Sequence, residues 1–249
     1  MLRALIFDVD GTLAETEDLH RQAFNRAFTE LGLPWRWDPA LYADLLTVMG
    51  GKERLTHYID MHQPGEAASL HARAPEIHAR KTTAYGALVA EIGLPLRPGI
   101  ARLIGEARAA GLQLAIATTT SRPNVDRLLA GHFPASDRPF AVIAAGDEAD
   151  RKKPAPDVFL LALDRLGLPA SEAVAFEDSA AGIASARAAG LPVLATRSRY
   201  TDRHRLDGAF SALSDLGEPG QPHRHLAGLE WPDRVVTLAA LRDWHAASR

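Results

Sequence analysis

Two aspartates close a greasy run near the start of the chain. RALIFDVDGTLAETE puts Asp8 and Asp10 directly after Leu5-Ile6-Phe7, with Gly11 and Thr12 next. Carboxylates crowded at the end of a buried segment repel one another and resist losing water, so the pair calls for a positive partner. Three later stretches end in chemistry-bearing residues. LQLAIATTTS ends on Thr118, Thr119 and Thr120, AGDEADRKKPAPDVF carries Lys153 before Pro154, and AVAFEDSAAG reaches Glu177 and Asp178. Acids, hydroxyls and a lysine together are equipment for phosphoryl transfer. Asp8, Asp178 and a carbonyl near Asp10 offer hard oxygens suited to Mg²⁺, and Glu177 is placed to hold one of its waters. Two unit charges ~4 Å apart interact by ~4 kcal/mol at an effective dielectric of 20. Bare carboxylates would therefore repel a phosphate, and Mg²⁺ with Lys153 would offset them. Thr118 and the amides of residues 9–11 can hydrogen-bond phosphoryl oxygens.

The elements that must position these groups are legible in outline. Apolar runs at 4–9, 112–117, 140–144, 173–176 and 192–195 are nearly continuous, as in strands covered on both faces. Helical patterns separate them. PGIARLIGEARAAG, APDVFLLALDRLG and SAAGIASARAAG each close near a glycine suited to a helix end. Alternating strand and helix predicts an α/β fold with a doubly wound parallel sheet, whose ligands bind at the carboxyl ends of the strands. All the candidate groups above fall at such ends.

Residues 16–94 break the rhythm. They show helical patterning and no strand, far longer than a usual crossover. The reading is a small all-helical domain inserted after the first strand, with core segments at 1–15 and 95–249. In it LHRQAFNRAFTELG carries an apolar stripe, and PEIHARKTTAYGALVAEIG begins a helix with Pro75 near its first turn. GLPLRPG is the returning linker. The segment 217–228 reads as a loop with His223 and His225 at the surface, and DRVVTLAALRDW as a late strand and helix.

The 249 residues are 47% hydrophobic and 24% charged, with a formal net charge of -3. That charge gives no footprint for nucleic acid or an anionic membrane. There is no cysteine, which removes thiol nucleophiles and thiolate metal sites and fits a reducing, cytoplasmic setting. The opening MLRALIFDVD is too short and too soon charged for a signal peptide. DVDGT fails as an EF-hand loop, because Leu13 and Leu19 stand where Gly and Glu are needed. GGKER fails as a Walker loop, because Glu53 follows Lys52.

DVDGT, Thr118 after an apolar strand, Lys153 in KPAPD, and EDSAAG resemble the four ordered motifs of the haloacid dehalogenase superfamily. The helical insert resembles that superfamily's C1 cap, and the resemblance spans almost the whole chain. It implies that Asp8 is a nucleophile that takes the phosphoryl group, that Asp10 acts as acid and then base, and that the cap closes over substrate. It also favours Lys153 over Lys152 as the site lysine.

Substrate choice falls to the insert. Glu17 and His20 lie one turn apart on one helix face. Gly50 and Gly51 precede Lys52 and Arg54, cations able to clamp an anion, and Arg122 follows the threonines with the same capacity. Thr119 is a second hydroxyl candidate. TLAETE, LLTVMGGKERL and AIATTTSRPNV further resemble CbbY-type phosphatases, which hydrolyse xylulose-1,5-bisphosphate, an inhibitor of rubisco. In that group Glu17, Tyr42 and Lys52 are placed for substrate contact, while Tyr42 reads equally as core of the insert. The implied partner is a small phosphorylated sugar. The rival readings are a β-phosphoglucomutase-like mutase, a phosphoglycolate-type monophosphate phosphatase and, remotely, a phospho-acceptor receiver module. The last lacks a place for the insert.

Overall fold

The computed structural model describes residues 1–248. In chain order the core begins with β1 (Ala4–Phe7). Four helices follow before the chain returns: α1 (Glu17–Glu30), α2 (Pro39–Leu45), α3 (Gly51–His62) and α4 (Ala67–Ile92). Then come α5 (Ile100–Ala109), β2 (Gln113–Thr118), α6 (Arg122–Ala130), β3 (Val142–Ala145), α7 (Asp157–Leu166), β4 (Ala173–Glu177) and α8 (Ala180–Ala188). The chain finishes with β5 (Val193–Thr196), β6 (Ser211–Leu213), β7 (His225–Gly228) and α9 (Leu238–Ala247).

The strands form one sheet in the order β3-β2-β1-β4-β5-β6-β7. All neighbours pair in parallel except β6 and β7. β1 aligns Ala4 with Gln113 on one side and with Ala173 on the other. The chain winds outward from β1 in one direction to β3, then returns to β4 and winds the other way. The crevice of such a sheet opens where the winding reverses, at the carboxyl ends of β1 and β4. Separate apolar clusters cover the two sheet faces, one with Leu5, Phe7, Ile116 and Phe176, the other with Ile6, Phe159, Leu163 and Ile183. This double burial explains why the central strands read as unbroken apolar runs.

The inserted helices have a core of their own, in which Phe24, Phe28, Trp37, Tyr42, Leu55 and Tyr58 pack together. Trp37 meets Phe24, Phe28, Tyr42 and Tyr58 with ring centroids 4.5–5.9 Å apart, the range of productive aromatic contacts. The two connections to the sheet run side by side, with Ala14 bridged to Leu96 and the Arg97 amide donating to Leu13 O at 2.8 Å. The buried Arg97 guanidinium gathers the carbonyls of Gly11, Thr196, Arg197 and Ser214 and pairs with Glu15 at 3.2 Å. One side chain thus fixes the returning linker against the turn after β1 and the ends of β5 and β6.

Three expectations fail. Pro75 lies inside α4 rather than at its start. It sits on the exposed side, and the buried stripe of Leu70, Ile77, Ala84, Tyr85 and Val89 continues through it. That packing outweighs the ladder bond lost at the proline. The tail carries β6 and β7 upstream of DRVV, which forms no strand of its own. His223 is buried, not superficial, and its amide donates to Arg234 O at 2.9 Å. No helix among the described residues is long and apolar enough to cross a membrane.

Candidate active site

The turn after β1 sets the site. The Asp8 amide donates to Phe176 O at 3.0 Å, extending the sheet pairing by one residue. The chain then folds tightly, with Leu13 N–H on Val9 O at 2.9 Å and Gly11 N–H on Ala14 O at 2.8 Å. Gly11 adopts a φ of +80°, and a Cβ there would lie 2.1 Å from Asp178 Oδ2. Only glycine permits both the angle and the approach.

Lys153 enters from the segment after β3. Its ammonium donates to Asp8 Oδ1 at 2.6 Å, to Ala117 O at 3.0 Å and to Glu177 Oε1. Glu177, ending β4, turns its other oxygen to the amides of Asp178 and Ser179 before α8. Gly182 leaves room for that carboxylate, since a Cβ would sit 2.0 Å from it. Asp178 Oδ2 accepts from Ser198 Oγ at 2.6 Å. Oxygens of Asp8, Glu177 and Asp178 all lie within 4.8 Å of one another, and all three residues are buried.

The electrostatics of this cluster ask for a cation. Burial pushes the Asp8 carboxyl up to about 8 despite Lys153, and the charges of Glu177 and Asp10 push the same way. Burial, then Glu177 and Asp8, likewise raise Asp178 well above the carboxylate range. Lys153 is raised in turn: burial opposes its charge, but Asp8 and Glu177 outweigh it. One lysine therefore does not neutralise three carboxylates. Hard oxygen donors with unmatched negative charge suit Mg²⁺, so the residues fit a divalent cation.

Asp10 faces the inserted helices. It accepts from Thr16 Oγ1 at 2.5 Å and from His20 Nε2 at 3.1 Å. Burial works against its charge, but His20, Thr16 and Thr120 hold its carboxyl below the ordinary range. His20 stacks on Tyr85 at 4.0 Å, and its Nδ1 accepts from Lys81 Nζ at 2.8 Å. Burial and Lys81 hold the imidazole pKa down, against the pull of Asp10. Lys81 is itself buried, and burial lowers its pKa to about 8.

This last shift has a thermodynamic signature. Between about pH 8 and 10.5 the unfolded chain holds the Lys81 proton and the folded chain does not, so stability from this group rises with pH. The wild type is expected to gain up to about 3 kcal/mol over Lys81→Met across that window, read by urea denaturation at pH 7.5 and 10.5. A constant difference would show that Lys81 keeps its ordinary pKa.

Asp8, Asp10, Glu17, His20, Arg54, Thr119, Lys153 and Asp178 line one cavity of about 360 Å³. Thr118 is buried behind it at the end of β2, its Oγ1 accepting the Thr120 amide at 3.2 Å. Tyr42 is fully buried in the insert and donates to Glu17 Oε2 at 2.8 Å. Arg54 is committed inward, to Tyr42 Oη at 3.0 Å and Leu45 O at 3.3 Å. It braces Glu17 through Tyr42. Lys52 lies outside the main cavity and lines a second hollow of about 30 Å³ with His78, Thr120, Ser121 and Lys152. The two hollows share Gly51, Lys81, Thr119 and Thr120. Arg122 lines neither, and pairs with Asp126 at 3.1 Å.

Sequence reasoning missed Thr16, Lys81, Ser198 and Tyr200, and named Thr120 at its strand end without giving it a role. Lys81 left a signal: it stands four residues from both Ile77 and Tyr85, on the apolar stripe of α4.

The model of haloacid dehalogenase-like hydrolases matches residues 2–190. The chain belongs to that family. The plasmid-borne CbbY protein of Cupriavidus necator is 51% identical over 98% of this chain and 97% of its own. The crystal structure of a CbbY mutant from Rhodobacter sphaeroides with xylulose-1,5-bisphosphate superposes with a TM-score of 0.80. It is 46% identical and covers 88% of this chain and 97% of its own. A β-phosphoglucomutase from Clostridium difficile shares the fold, with a TM-score of 0.77 at 18% identity over 100% of this chain and 99% of its own. Within the family this chain is a CbbY-like phosphatase.

Proposed function

We propose that this chain is a Mg²⁺-dependent sugar-bisphosphate phosphatase, acting on xylulose-1,5-bisphosphate or a close relative through a phosphorylated Asp8. The carrying observation is that Glu17, held by Tyr42, shares one cavity with Asp8, Asp10 and Lys153. A carboxylate so placed accepts sugar hydroxyls while the other three meet the phosphate. The xylulose-1,5-bisphosphate complex of the Rhodobacter sphaeroides relative supports the same substrate. In this reading residues 16–94 form the cap and the remainder the core.

Asp8 Oδ attacks phosphorus as the ester P–O bond breaks, and the Asp10 carboxyl gives its proton to the departing sugar oxygen. Asp10 then takes a proton from water, which attacks phosphorus and frees Asp8 with inorganic phosphate. Lys153 and the amides of Val9 and Asp10 hold the phosphoryl oxygens, and Thr118 supports the neighbouring loop. Asp8, Asp178 and the main-chain carbonyl of Asp10 would hold Mg²⁺, with Glu177 acting through a water. When bound, the cation supplies positive charge that ionises Asp8 and offsets the phosphate.

The resting protonation runs opposite to this chemistry, with Asp8 raised and Asp10 lowered. The two ligands reverse it. Positive charge beside Asp8 favours its carboxylate, and an incoming phosphate dianion beside Asp10 favours its acid form.

The distal phosphate belongs in the second hollow, against Lys52 and Lys152. Ser121 Oγ there is buried without a hydrogen-bond partner among the described residues. Phosphate release with Mg²⁺ across xylulose-1,5-bisphosphate, ribulose-1,5-bisphosphate, phosphoglycolate and β-glucose-1-phosphate tests the reading. The expected kcat/KM for xylulose-1,5-bisphosphate is at least about tenfold above the others, about 1.4 kcal/mol of selectivity. Lys52→Ala is expected to raise KM for the bisphosphate more than for p-nitrophenyl phosphate. A flat profile, or conversion of β-glucose-1-phosphate to its isomer, would overturn the bisphosphate reading.

A further inference from the structure

A short turn after β5, residues 198–201, touches both halves of the site. On the core side, Ser198 Oγ donates to Asp178 Oδ2 at 2.6 Å. The turn is braced from within, since Thr201 Oγ1 accepts the Ser198 amide at 2.9 Å and lies 2.9 Å from Ser198 Oγ. Ser198 and Thr201 are both buried. On the other side, the Arg199 amide donates to Glu15 Oε2 at 3.2 Å, on the outgoing linker. The Tyr200 hydroxyl donates to Asp18 Oδ1 at 2.9 Å, in the first turn of α1. The Tyr200 ring stands edge-on to Tyr42 with centroids 5.7 Å apart, and lines the main cavity.

These contacts form a chain from the acidic cluster to the sugar-facing residues. Asp18 follows Glu17, and Tyr42 holds Glu17. Tyr200 therefore meets the Glu17–Tyr42 pair from two directions, by a hydrogen bond to the neighbouring residue and by ring contact with its partner. Asp18 Oδ1 also accepts from Arg21 Nε at 3.0 Å, and Oδ2 from Gln22 at 2.8 Å, so the acceptor is fixed on its own helix. Two rigid supports, the braced turn and α1, are joined through one phenol.

We propose that Tyr200 is a positioning residue, a clasp that sets Glu17 and Tyr42 of the inserted helices in register with Asp178 of the core. It acts on orientation of the sugar, through Asp18, and takes no part in proton or phosphoryl transfer. The substrate named in its test rests on the function proposed above. Tyr200→Phe keeps the ring and removes the hydroxyl.

With Mg²⁺, Tyr200→Phe is expected to lower kcat/KM for xylulose-1,5-bisphosphate about fivefold, the scale of one net hydrogen bond. It should lower kcat/KM for p-nitrophenyl phosphate, which has no sugar to orient, much less. In an Asp18→Ala background the same change should cost nothing further. An equal loss on both substrates, or a fivefold loss that persists without Asp18, would overturn the clasp. The chain has no cysteine, which allows a readout independent of turnover. Spin labels at Met61→Cys on α3 and Leu160→Cys on α7, both exposed positions, report the separation of insert and core. Tyr200→Phe is expected to broaden that distance distribution, and an unchanged distribution would overturn the proposal. Should the wild type leave the bisphosphate untouched, the substrate reading fails and the labels alone decide the clasp.

Discussion

Asp8→Asn is expected to lower phosphatase kcat by at least about 10⁴-fold, equivalent to ~5 kcal/mol of transition-state stabilisation, while the protein stays folded. The amide is nearly the same size, and its oxygen can still accept from Lys153, which donates to Asp8 Oδ1 at 2.6 Å. The substitution removes a nucleophile and one of three crowded carboxylates. Because burial pushes Asp8 up to about 8, the wild-type carboxylate opposes folding above its unfolded pKa in metal-free protein. The melting temperature of metal-free Asp8→Asn should therefore equal or exceed that of the wild type near pH 8. Phosphate release near the wild-type rate from a folded sample would remove Asp8 from the nucleophile's role. Loss of rate with loss of the melt would point to a structural lesion instead.

The parts of the fold that the sequence exposes are those whose burial is local. β1, β2, β4 and β5 are short apolar runs because helices cover both faces of the sheet. β6 has three residues and β7 is partly exposed, so neither leaves a run long enough to stand out from its loops. The same distinction holds in the site. Asp8, Asp10, Glu177 and Asp178 stand at strand ends, where position along the chain predicts position in space. Arg54 was legible as a cation, and it lines the main cavity, but its hydrogen bonds to Tyr42 and Leu45 were not legible, because those partners lie a helix away. Arg122 stands four residues before Asp126, a spacing that favours the surface pair it makes. Tyr200 reaches Asp18 across 182 residues. No periodicity records such a contact, since it depends on how the insert lies on the core.

Lys153→Met should produce the largest loss of stability of any single change at the site. The lysine side chain is wholly inaccessible and bridges Asp8 and Glu177. Breaking a buried pair by removing one partner typically costs 3–5 kcal/mol, because an uncompensated charge remains. Here two carboxylates lose their ammonium, with Asp178 beside them. In metal-free protein near pH 8 the expected loss is about 4 kcal/mol, or roughly 10 °C in melting temperature. The deficit should depend on pH with a definite sign. Without the ammonium, the folded-state pKa of Asp8, already raised to about 8, moves further above its unfolded value. Stability is then lost as pH rises from the unfolded carboxylate pKa toward the folded one, so the deficit is smaller at pH 5.5 than at pH 8.5. Mg²⁺ should recover part of it, by placing positive charge among the same oxygens. Urea titrations of wild type and Lys153→Met at the two pH values, with EDTA and with Mg²⁺, measure all three effects. A deficit independent of both pH and Mg²⁺ would mean that Lys153 stabilises through packing on Phe159, 5.0 Å from its ammonium, rather than through the charges it joins.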